Sequence, residues 1–340
     1  MKILITGISG QVGSILADYI LENTEYQIIG LMRWQESISN IRHLIQRIND
    51  KDRIELVNGD LNDYTSLDRL MKNHRPDFVS HLAAQSFPKT SFNSPIETLQ
   101  TNIIGTCNLL EAVRSNIGAG YDPVVHICSS SEVYGRADAG KRLSEDSKFH
   151  AASPYSLSKI GTDYLGQFYG EAYGIKTFVT RMGTHSGRRR SDVFFESTVA
   201  KQIALIEADM QPPILKLGNL ESVRTFQDCR DAVDAYFKLM HASFNNKIPN
   251  GDYFNIAGNE AFKLTEVVNI MLSMSYRDDI EVITDPDRLR PIDADYQMFD
   301  NSKIKSVIDW SPTISVKNML SDLLDFWRQE VRLGNVPLNR

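Results

Sequence analysis

The sequence is poor in cysteine and has no long apolar segment. Its three cysteines, Cys107, Cys128 and Cys229, are odd in number and widely spaced in 340 residues. Neither a CxxC metal pair nor a disulfide framework is therefore expected. No run reaches the ~18 apolar residues that a membrane-spanning helix needs, and the apolar start of the chain is too short for a signal peptide. We expect a cytoplasmic protein without a metal site or membrane association.

Basic residues are also too few for a general nucleic-acid binder. The chain has 37 Lys and Arg against 43 Asp and Glu, a net charge of −6, whereas nucleic-acid-binding domains are usually basic. This balance still permits a local basic patch for a phosphorylated small molecule. With 42% hydrophobic and 24% charged residues, the composition is that of an ordinary globular protein. It excludes disordered, collagen-like and coiled-coil classes.

The first 182 residues alternate short apolar segments with helical patterns. The helical patterns are clearest at 11–23, 96–114 and 154–172. The apolar segments are strand candidates at 2–6, 26–32, 53–59, 77–83, 123–129 and 176–182. Because these segments are apolar throughout rather than alternating, they fit a parallel sheet that is covered on both faces. The pattern predicts a doubly wound α/β fold.

This alternation ends after about residue 183. A polar loop at 183–192 precedes helical patterns near 195–208, 229–242, 264–274 and 315–332, with strand-like segments at 211–219 and 280–284. The length of the chain also favours about two domains. We therefore expect one unit at 1–182 and a second, smaller α/β unit at 183–340, partly interleaved with the first.

The segment TGISGQVG places Gly7, Gly10 and Gly13 directly after the first strand and at the start of a helix. The first glycine allows a tight turn, the second lets a pyrophosphate approach the backbone, and the third lets helix and strand pack closely. The N–H groups of the helix N-terminus can then bind the anion. This context favours a dinucleotide-binding domain at 1–182 and a substrate-binding domain at 183–340.

The end of the second strand bears on which dinucleotide is bound. An acid there would accept the adenosine ribose hydroxyls, whereas a basic residue suits a 2′-phosphate. The sequence has Arg33 and Trp34 after the strand, and no acid before Glu36. Arg33 therefore favours NADP over NAD.

Tyr155 and Lys159 lie four residues apart in SPYSLSK, at the start of a predicted helix. This spacing places both side chains on one helix face. A tyrosine with its ordinary pKa of about 10 is a poor base at neutral pH. A nearby ammonium favours the phenolate, so we expect Lys159 to lower the pKa of Tyr155. The pair is a candidate for acid–base catalysis.

The turn SSSEVYG follows the fifth strand and holds Ser130, Ser131 and Glu132. It leaves the carboxyl end of a central strand, where open α/β sheets bind their ligands. A serine there can hydrogen-bond a sugar hydroxyl beside the tyrosine. The Glu132 carboxylate can remove a carbon-bound proton that a neighbouring ketone has made acidic. His81 and His126, in contrast, lie in strand patterns and are expected in the core.

Five segments together resemble the extended short-chain dehydrogenase/reductases: TGISGQVG, GDLNDYTSL, HLAAQSF, SSSEVYGR and SPYSLSK. Within them the chain is most similar to the GDP-mannose 4,6-dehydratase group of nucleotide-sugar enzymes, over nearly its whole length. This closer similarity rests on HLAAQS, the SSSEVYG turn and a histidine-containing loop that runs into paired arginines. The resemblance implies a Rossmann sheet, NADP as cofactor, a nucleotide-sugar substrate and a homodimer or homotetramer.

The resemblance also implies roles for individual residues. Ser130, Tyr155 and Lys159 match the catalytic triad. Glu132 matches the base of the dehydratases. The implied cofactor site consists of Gly7, Gly10, Gln11, Val12, Gly13, Arg33, Asp60, Leu61, Leu82, Ala83, Ala84, Tyr155, Lys159, His185 and Arg190. The implied substrate site consists of Ser86, Ser130, Ser131, Thr184, Arg224 and Arg290.

Two departures from the family pattern concern the nucleotide contacts. The loop from Thr184 to Arg190 lacks the asparagine and proline of the usual N-H-x-x-P-R-R, and Trp34 stands where a second arginine is usual. Both changes favour an altered sugar or partner contact over a loss of the chemistry. In the family the arginine loop, here Arg188–Arg190, can reach the cofactor of a neighbouring subunit, which would imply a tetramer.

We therefore expect an NADP-dependent 4,6-dehydratase, a lyase that acts on a GDP-sugar such as GDP-mannose or a related hexose or heptose. Its product would be a 6-deoxy-4-keto sugar. A GDP-sugar 4-reductase or epimerase with the same triad is the first alternative, because some relatives of that kind also carry a glutamate at the position that Glu132 occupies here. A non-catalytic dinucleotide-sensing protein is the second. It would need the glycine loop without the full set of Ser130, Tyr155 and Lys159.

Overall fold

The first half of the chain forms six strands that alternate with helices, in a computed structural model that describes residues 1–135, 137, 140–289 and 296–336. The strands are β1 Lys2–Thr6, β2 Gln27–Met32, β3 Ile54–Asn58, β4 Phe78–His81, β5 Val124–Cys128 and β6 Thr177–Met182. The helices are α1 Gln11–Asn23, α2 Ile45–Asn49, α3 Tyr64–His74, α4 Pro88–Asn93, α5 Pro95–Leu99, α6 Gly105–Asn116 and α7 Pro154–Tyr173. Each strand falls within the apolar segment that predicted it.

The described residues of the second half form shorter strands and five further helices. Its strands are β7 Thr184–Ser186, β8 Ile214–Leu217, β9 Val223–Asp228, β10 Asp252–Ile256, β11 Ala261–Lys263, β12 Glu281–Thr284 and β13 Tyr296–Gln297. Its helices are α8 Phe195–Glu207, α9 Cys229–Phe244, α10 Leu264–Leu272, α11 Ser302–Val307 and α12 Val316–Arg332. The four helices predicted after residue 183 correspond to α8, α9, α10 and α12.

Seven strands form one parallel sheet in the order β3-β2-β1-β4-β5-β6-β10. Thr6, the last residue of β1, pairs with Leu31 on one side and His81 on the other, so the ends of the central strands lie level. The winding direction reverses between β1 and β4, the point at which open α/β sheets leave a crevice for ligands. This confirms the predicted doubly wound α/β fold and collects the loops after the strands along one edge.

Apolar side chains cover both faces of this sheet. One face packs against α1 and α9, where Leu16 and Tyr236 are fully buried. The other face packs against α3, α6 and α7. A separate core lies between α8, α10 and α12, around Ile203, Val267 and Leu323. The sheet is therefore a covered parallel sheet, which accounts for its continuous apolar strands.

The residues after 182 contribute to both cores. Strand β10 pairs with β6, and α9 packs beside α1 on the large sheet. The remaining strands form two small sheets, one of β7, β11 and β13 around β9, and one of β8 with β12. The chain thus crosses between its two cores more than once, and the domain boundary at residue 182 stays a prediction.

Two predicted segments differ in the structure. The helix predicted at 96–114 is interrupted, because a π-helical turn at Gln100–Ile104 joins α5 to α6. The polar loop predicted at 183–192 contains β7, because Thr184–Ser186 pairs with β9. Strands β9 and β10 have no counterpart among the predicted strands, since both carry several polar side chains.

His81 and His126 lie in the core, as predicted. The two ring nitrogens of His126 lie 3.0 Å from Ser80 Oγ and 2.8 Å from Thr180 Oγ1. Burial lowers the pKa of each histidine to about 3, so both are neutral at neutral pH.

Over the part of the chain that the structure describes, no helix is long and apolar enough to cross a membrane. Within the same residues, no three His, Cys, Asp or Glu side chains are grouped so that they could hold a metal ion.

Candidate active site

A cavity of about 1300 Å³ runs along the carboxyl edge of the large sheet. Its walls include the segments that follow β1, β2, β3, β4, β5 and β6, and it continues onto α8, β8 and β9. Every residue that the sequence assigns to a site lines this cavity except Arg290, which lies outside the described residues. The structure therefore brings the predicted cofactor, catalytic and substrate residues to one place.

The glycine loop forms one wall of the cavity because side chains have no room there. Gly7 adopts a φ of +72°, and an added Cβ would lie 2.9 Å from the backbone nitrogen of Ala83. An added Cβ at Gly13 would overlap the backbone oxygen of Gly7 and lie 2.7 Å from Ile8 Cα. Gly10 is the N-cap of α1 and offers its first-turn N–H groups no side chain. This cradle fits the pyrophosphate of a dinucleotide.

Thr6 connects the glycine loop to the end of β4. Its Oγ1 accepts hydrogen bonds from the backbone N–H groups of Leu82 and Ala83, both at 3.1 Å. Because its acceptor positions are taken, the hydroxyl donates its proton to Nδ1 of His81, 2.9 Å away. These bonds fix Leu82–Ala84, the segment that the resemblance assigns to the cofactor site.

The ends of β2 and β3 bring Arg33, Glu36 and Asp60 to the cavity wall. The Arg33 side chain is 65% exposed, and its Nε lies 3.5 Å from one carboxylate oxygen of Glu36. The other oxygen of Glu36 accepts a hydrogen bond of 2.7 Å from Ser9 in the glycine loop. Leu61, beside Asp60, is buried. Glu36 is not among the predicted site residues, although its place three residues after Arg33 is a usable signal.

The turn after β5 presents Ser130 and Glu132 to the cavity. Ser130 caps a 3₁₀ turn at Ser131–Tyr134, where its Oγ accepts the N–H of Glu132 at 3.2 Å. The turn is anchored at Tyr134, a buried residue whose hydroxyl donates a hydrogen bond of 2.7 Å to the side chain of Asn255. Strand β10 thus holds the turn that carries the predicted base.

Helix α7 places Tyr155 and Lys159 at the cavity. Its start is fixed by a capping box, in which Ser153 Oγ accepts the N–H of Ser156 at 3.0 Å and Ser156 Oγ accepts the N–H of Ser153 at 2.9 Å. The Nζ of Lys159 donates a hydrogen bond of 2.7 Å to the backbone oxygen of Cys128. Both functional side chains are buried, so their orientation is set by the helix and not by solvent.

Burial dominates the electrostatics of this pair. It raises the pKa of Tyr155 well above its usual value, while a hydrogen bond with Ser130 and the charge of Arg190 act in the opposite direction. Burial also lowers the pKa of Lys159. The prediction that Lys159 gives Tyr155 a lowered pKa is therefore wrong for the polypeptide, because desolvation of the phenolate outweighs the attraction of nearby positive charge. The tyrosine is held as a neutral phenol at neutral pH.

Two arginines of the loop after β7 are tied to the chain itself. Arg188 lies 3.8 Å from the carboxylate of Asp322, and Arg189 lies 2.7 Å from that of Asp18. The side chain of Gln11 donates a hydrogen bond of 3.1 Å to the backbone oxygen of Arg188. These contacts hold the loop against the start of α1. Its reach to a neighbouring subunit stays a prediction.

Arg190 lies at the cavity between the glycine loop and α8. Its Nε is 3.1 Å from Glu196, and its guanidinium lies 3.5 Å from the centre of the Phe194 ring. Its Nη1 is 3.4 Å from the side-chain oxygen of Gln11. Burial, with a contribution from the charge of Arg190, lowers the pKa of His185 to about 4. His185 is therefore a neutral hydrogen-bonding group in this wall.

The predicted substrate residues occupy different parts of the cavity wall. Thr184 and Arg224 lie on the neighbouring strands β7 and β9. Arg224 is buried, and its Nη1 donates a hydrogen bond of 3.2 Å to the backbone oxygen of Val223. Ser86 lies in the exposed segment after β4. Ser131 is buried beside the catalytic turn.

Three polar residues of the same wall are not among the predicted site residues: Lys201, Gln202 and Lys216. The side-chain amide of Gln202 pairs with the backbone N–H and C=O of Lys216, at 2.9 and 3.2 Å. Lys201 lies 2.9 Å from the carboxylate of Asp192. No local motif marks these residues, because their partners are distant in sequence or belong to the loop before α8.

The π-helical turn between α5 and α6 positions Asn102, a further residue that is not among the predicted site residues. Its side chain accepts the N–H of Gln85 at 2.8 Å and donates to the backbone oxygen of Gln85 at 3.0 Å. It also donates a hydrogen bond of 2.8 Å to Ser158 Oγ on α7. Asn102 therefore ties the segment after β4 to the helix that carries Tyr155. A π turn of this kind often marks a functional site.

The doubly wound parallel sheet, the glycine loop and the serine, tyrosine and lysine at one cavity define an extended short-chain dehydrogenase/reductase. The model of the GDP-mannose 4,6 dehydratase family matches residues 4–323. The chain belongs to this family.

Curated relatives and a solved structure agree with this assignment. The GDP-mannose 4,6-dehydratase of Yersinia enterocolitica is 31% identical over an alignment of 348 positions, which covers 95% of this chain and 92% of that protein. The GDP-6-deoxy-D-mannose reductase of Pseudomonas aeruginosa is 29% identical over 258 residues, covering 76% of this chain and 82% of that protein. The structure of RMD from Pseudomonas aeruginosa complexed with NADPH has a TM-score of 0.79 and 25% identity, over 96% of this chain and 99% of that one.

Proposed function

We propose that the protein is a GDP-sugar 4,6-dehydratase, a lyase acting on GDP-mannose or a related GDP-hexose or GDP-heptose. The observation that supports this most is the presence of Glu132 in the same cavity as the tyrosine and lysine. Oxidation or reduction of a hydroxyl needs only the triad, whereas loss of water also needs a base for a carbon-bound proton. The family membership supports the same substrate class.

The chain's own residues account for the proton transfers. Ser130 hydrogen-bonds the sugar 4-hydroxyl. Tyr155, a neutral phenol in the polypeptide alone, would take the proton of this hydroxyl as the phenolate that the positive charge of a bound oxidised nicotinamide favours. A nicotinamide dinucleotide held by the glycine loop and Leu82–Ala84 would supply the acceptor, and later the donor, for the hydride that moves from C4 to C6. The ketone at C4 acidifies the C5–H bond, so the Glu132 carboxylate removes the C5 proton. Glu132 then passes this proton to the C6 hydroxyl, which leaves as water. C5 is protonated again from solvent. Because the hydride removed from C4 is returned at C6, the cycle consumes no reductant.

NADP is the cofactor that we propose, bound with its adenosine 2′-phosphate near Arg33. The glycine loop supports a dinucleotide, and the exposed guanidinium of Arg33 at the end of β2 supports the phosphate. A related structure is complexed with NADPH. If this is correct, Arg33→Ala weakens NADP binding and leaves NAD binding nearly unchanged, which titration of both cofactors measures. An equal affinity for NAD and NADP in the unmodified protein contradicts it.

A GDP-sugar 4-reductase is the second candidate, because the relative from Pseudomonas aeruginosa carries that activity in its name. The triad would then deliver hydride to a 4-keto sugar, and Glu132 would take no part in an elimination. The two functions differ in their need for reductant: a reductase consumes one NADPH for each product, whereas a dehydratase turns over without any.

Incubation with nucleotide sugars tests the proposal directly. The protein is mixed with GDP-mannose, and separately with dTDP- and UDP-hexoses, without added reductant. A 6-deoxy-4-keto product from the GDP-sugar alone supports both the dehydratase reaction and guanine as the nucleobase of the substrate. No product without reductant, and a 4-hydroxy product with NADPH and a 4-keto sugar, replaces the dehydratase by the reductase.

A homodimer or homotetramer is also proposed. Helix α7 exposes Leu157, Tyr164 and Phe168, and Ile96 on α5 is 78% exposed. Exposed apolar groups of this size on neighbouring helices favour an interface between protein surfaces. Light scattering tests this, with a dimer or tetramer mass expected and a monomer at micromolar concentration contradicting it.

A further inference from the structure

Glu36 lies in the same part of the cavity wall as Arg33. One of its carboxylate oxygens accepts the hydroxyl of Ser9 at 2.7 Å, within the glycine loop. The other lies 3.3 Å from the backbone nitrogen and 3.5 Å from Nε of Arg33. The Glu36 side chain is only 28% exposed. It is thus held at the cavity by three donors and is not a solvated surface acid.

The segments after β2 and β3 bring more acids than cations to the cavity wall. Among the described residues that line it after β2 and β3, Arg33 is the only cation, and Glu36 and Asp60 are the acids. Asp60 already accepts the N–H of Asn62 at 2.9 Å. Trp34, the residue after Arg33, is 82% exposed and brings no charge. A 2′-phosphate would therefore meet one guanidinium that already has a carboxylate beside it.

We propose that Glu36 is the residue that limits the preference of this protein for NADP over NAD. The proposal rests on the proposed function only in taking the glycine loop as a dinucleotide site. The Glu36 carboxylate competes with a 2′-phosphate for Arg33 and repels it. With NAD, the same carboxylate accepts a hydrogen bond from an adenosine ribose hydroxyl. Arg33 and Glu36 act in opposite directions on the choice of cofactor.

Electrostatics predicts both the size of the effect of Glu36 on NADP affinity and its dependence on salt concentration. A carboxylate and a phosphate at a partly exposed site repel each other, and the repulsion falls as salt screens the charges. Removing one such charge near the surface changes affinity by about five- to tenfold at low ionic strength. The change should shrink towards high salt. A purely structural role for Glu36 would not produce this dependence on salt.

The variant Glu36→Gln isolates the charge. Its amide oxygen can still accept the hydroxyl of Ser9, and Asn40 independently donates a hydrogen bond of 3.0 Å to the backbone oxygen of Ser9. The glycine loop therefore keeps its anchors. Glu25→Gln is the matched control, because its side chain is 95% exposed just before β2 and the substitution alters net charge equally.

The experiment measures equilibrium Kd values of NADP and NAD for the purified protein and both variants, at low and high salt. Glu36→Gln is expected to tighten NADP by about five- to tenfold, to leave NAD equal or weaker, and to lose most of this change at high salt. Glu25→Gln is expected to leave the NADP/NAD ratio unchanged.

Two results overturn the proposal. If Glu36→Gln weakens NADP, Glu36 serves to hold Arg33 in place. If both cofactors change alike, or neither changes, Glu36 does not discriminate between them. Failure of the proposed function is seen separately, because binding needs no turnover. A protein that binds both cofactors without converting a GDP-sugar contradicts the function and not the role of Glu36, whereas a protein that binds neither cofactor overturns both.

Discussion

The ammonium of Lys159 is bound to the backbone oxygen of Cys128, the last residue of β5, at 2.7 Å. This bond joins α7, which carries Tyr155, to the strand that leads into the turn of Ser130 and Glu132. A hydrogen bond to the main chain therefore holds the two parts of the catalytic set together. Burial lowers the pKa of Lys159, and the carbonyl dipole is what keeps a charge at this buried position tolerable. The lysine is therefore an oriented group and not a mobile surface cation.

Lys159→Met is expected to reduce turnover by ~10²-fold or more, because the cavity loses an oriented positive charge and the bond that ties α7 to the end of β5. The change keeps the length of the side chain but leaves the carbonyl of Cys128 without its buried partner, which costs about 1–3 kcal/mol of stability. Single-turnover rates and thermal unfolding measure the two effects. Lys72→Met is the control, since Lys72 is an exposed residue of α3. Normal turnover of the Lys159 variant would remove the lysine from the mechanism.

The glycines of the phosphate loop should separate folding from binding. An alanine at Gly13 overlaps the backbone of Gly7, so Gly13→Ala should destabilise the free protein by about 1–3 kcal/mol. At Gly10 the φ is −74° and the nearest atom to an added Cβ is 3.2 Å away, so the fold should tolerate alanine. That Cβ would still obstruct the N-terminus of α1, so Gly10→Ala should weaken dinucleotide binding at least about tenfold.

Thermal unfolding and cofactor titration of both glycine variants check this prediction. The two substitutions are the same chemical change at positions three residues apart, so each is a control for the other. A stable Gly13→Ala protein, or a Gly10→Ala protein with unchanged affinity, contradicts the roles assigned to these positions.

The stability of the protein should fall on mild acidification. The pKa values of the buried His81 and His126 lie near 3, below those of unfolded histidine, so the unfolded state binds more protons between about pH 6.5 and 3. This stability is present above about pH 6.5 and is lost as pH falls. Each histidine contributes about 1 kcal/mol of loss between pH 7 and 5.5. The pKa of Glu145 is raised by burial and gives a change of opposite sign.

Scanning calorimetry at pH 7 and pH 5.5 measures this effect as a lower Tm at pH 5.5. The window lies above the pKa of ordinary carboxyl groups, so it reports the histidines mainly. An equal or higher Tm at pH 5.5 would show that the two ring environments are open to protonation in the native state.

Much of the fold was predictable because a covered parallel sheet has a plain sequence pattern. Most of the predicted strands are buried on both faces, with β3 as the exception, and the predicted helices repeat apolar residues at helical spacing. Strand β10 escaped this reasoning because Asn255 interrupts its apolar run. The reason for that asparagine is distant in sequence: its side chain accepts the hydroxyl of Tyr134 at 2.7 Å and donates to the backbone oxygen of Leu143 at 3.0 Å.

The site was predictable where function depends on local spacing, and not where it depends on long-range contacts. The residues of the glycine loop lie close together in the sequence, and so do Tyr155 and Lys159. Gln202 binds the edge of β8, and Asn102 binds the segment after β4, across chain separations that no local pattern encodes. The raised pKa of Tyr155 also depends on burial by the whole fold.

Glu132→Gln should divide the reaction into its two stages. A neutral amide of nearly the same shape cannot accept the C5 proton, so oxidation at C4 should proceed while loss of water stops. The variant should accumulate reduced cofactor together with a 4-keto sugar that keeps its 6-hydroxyl. Absorbance of the reduced nicotinamide and mass spectrometry of the sugar measure both. A variant that still forms the 6-deoxy product at the normal rate would exclude Glu132 as the base.

The most direct measurement is NMR of the product that the unmodified protein forms from GDP-mannose in deuterated water, without added reductant. If Glu132 exchanges the C5 proton with solvent during elimination, the product is a 6-deoxy-4-keto sugar with deuterium at C5, and the hydrogen that moves from C4 to C6 is not deuterium. If the protein leaves GDP-mannose unchanged, and instead oxidises NADPH while converting a 4-keto sugar to a 4-hydroxy sugar, the dehydratase account is wrong.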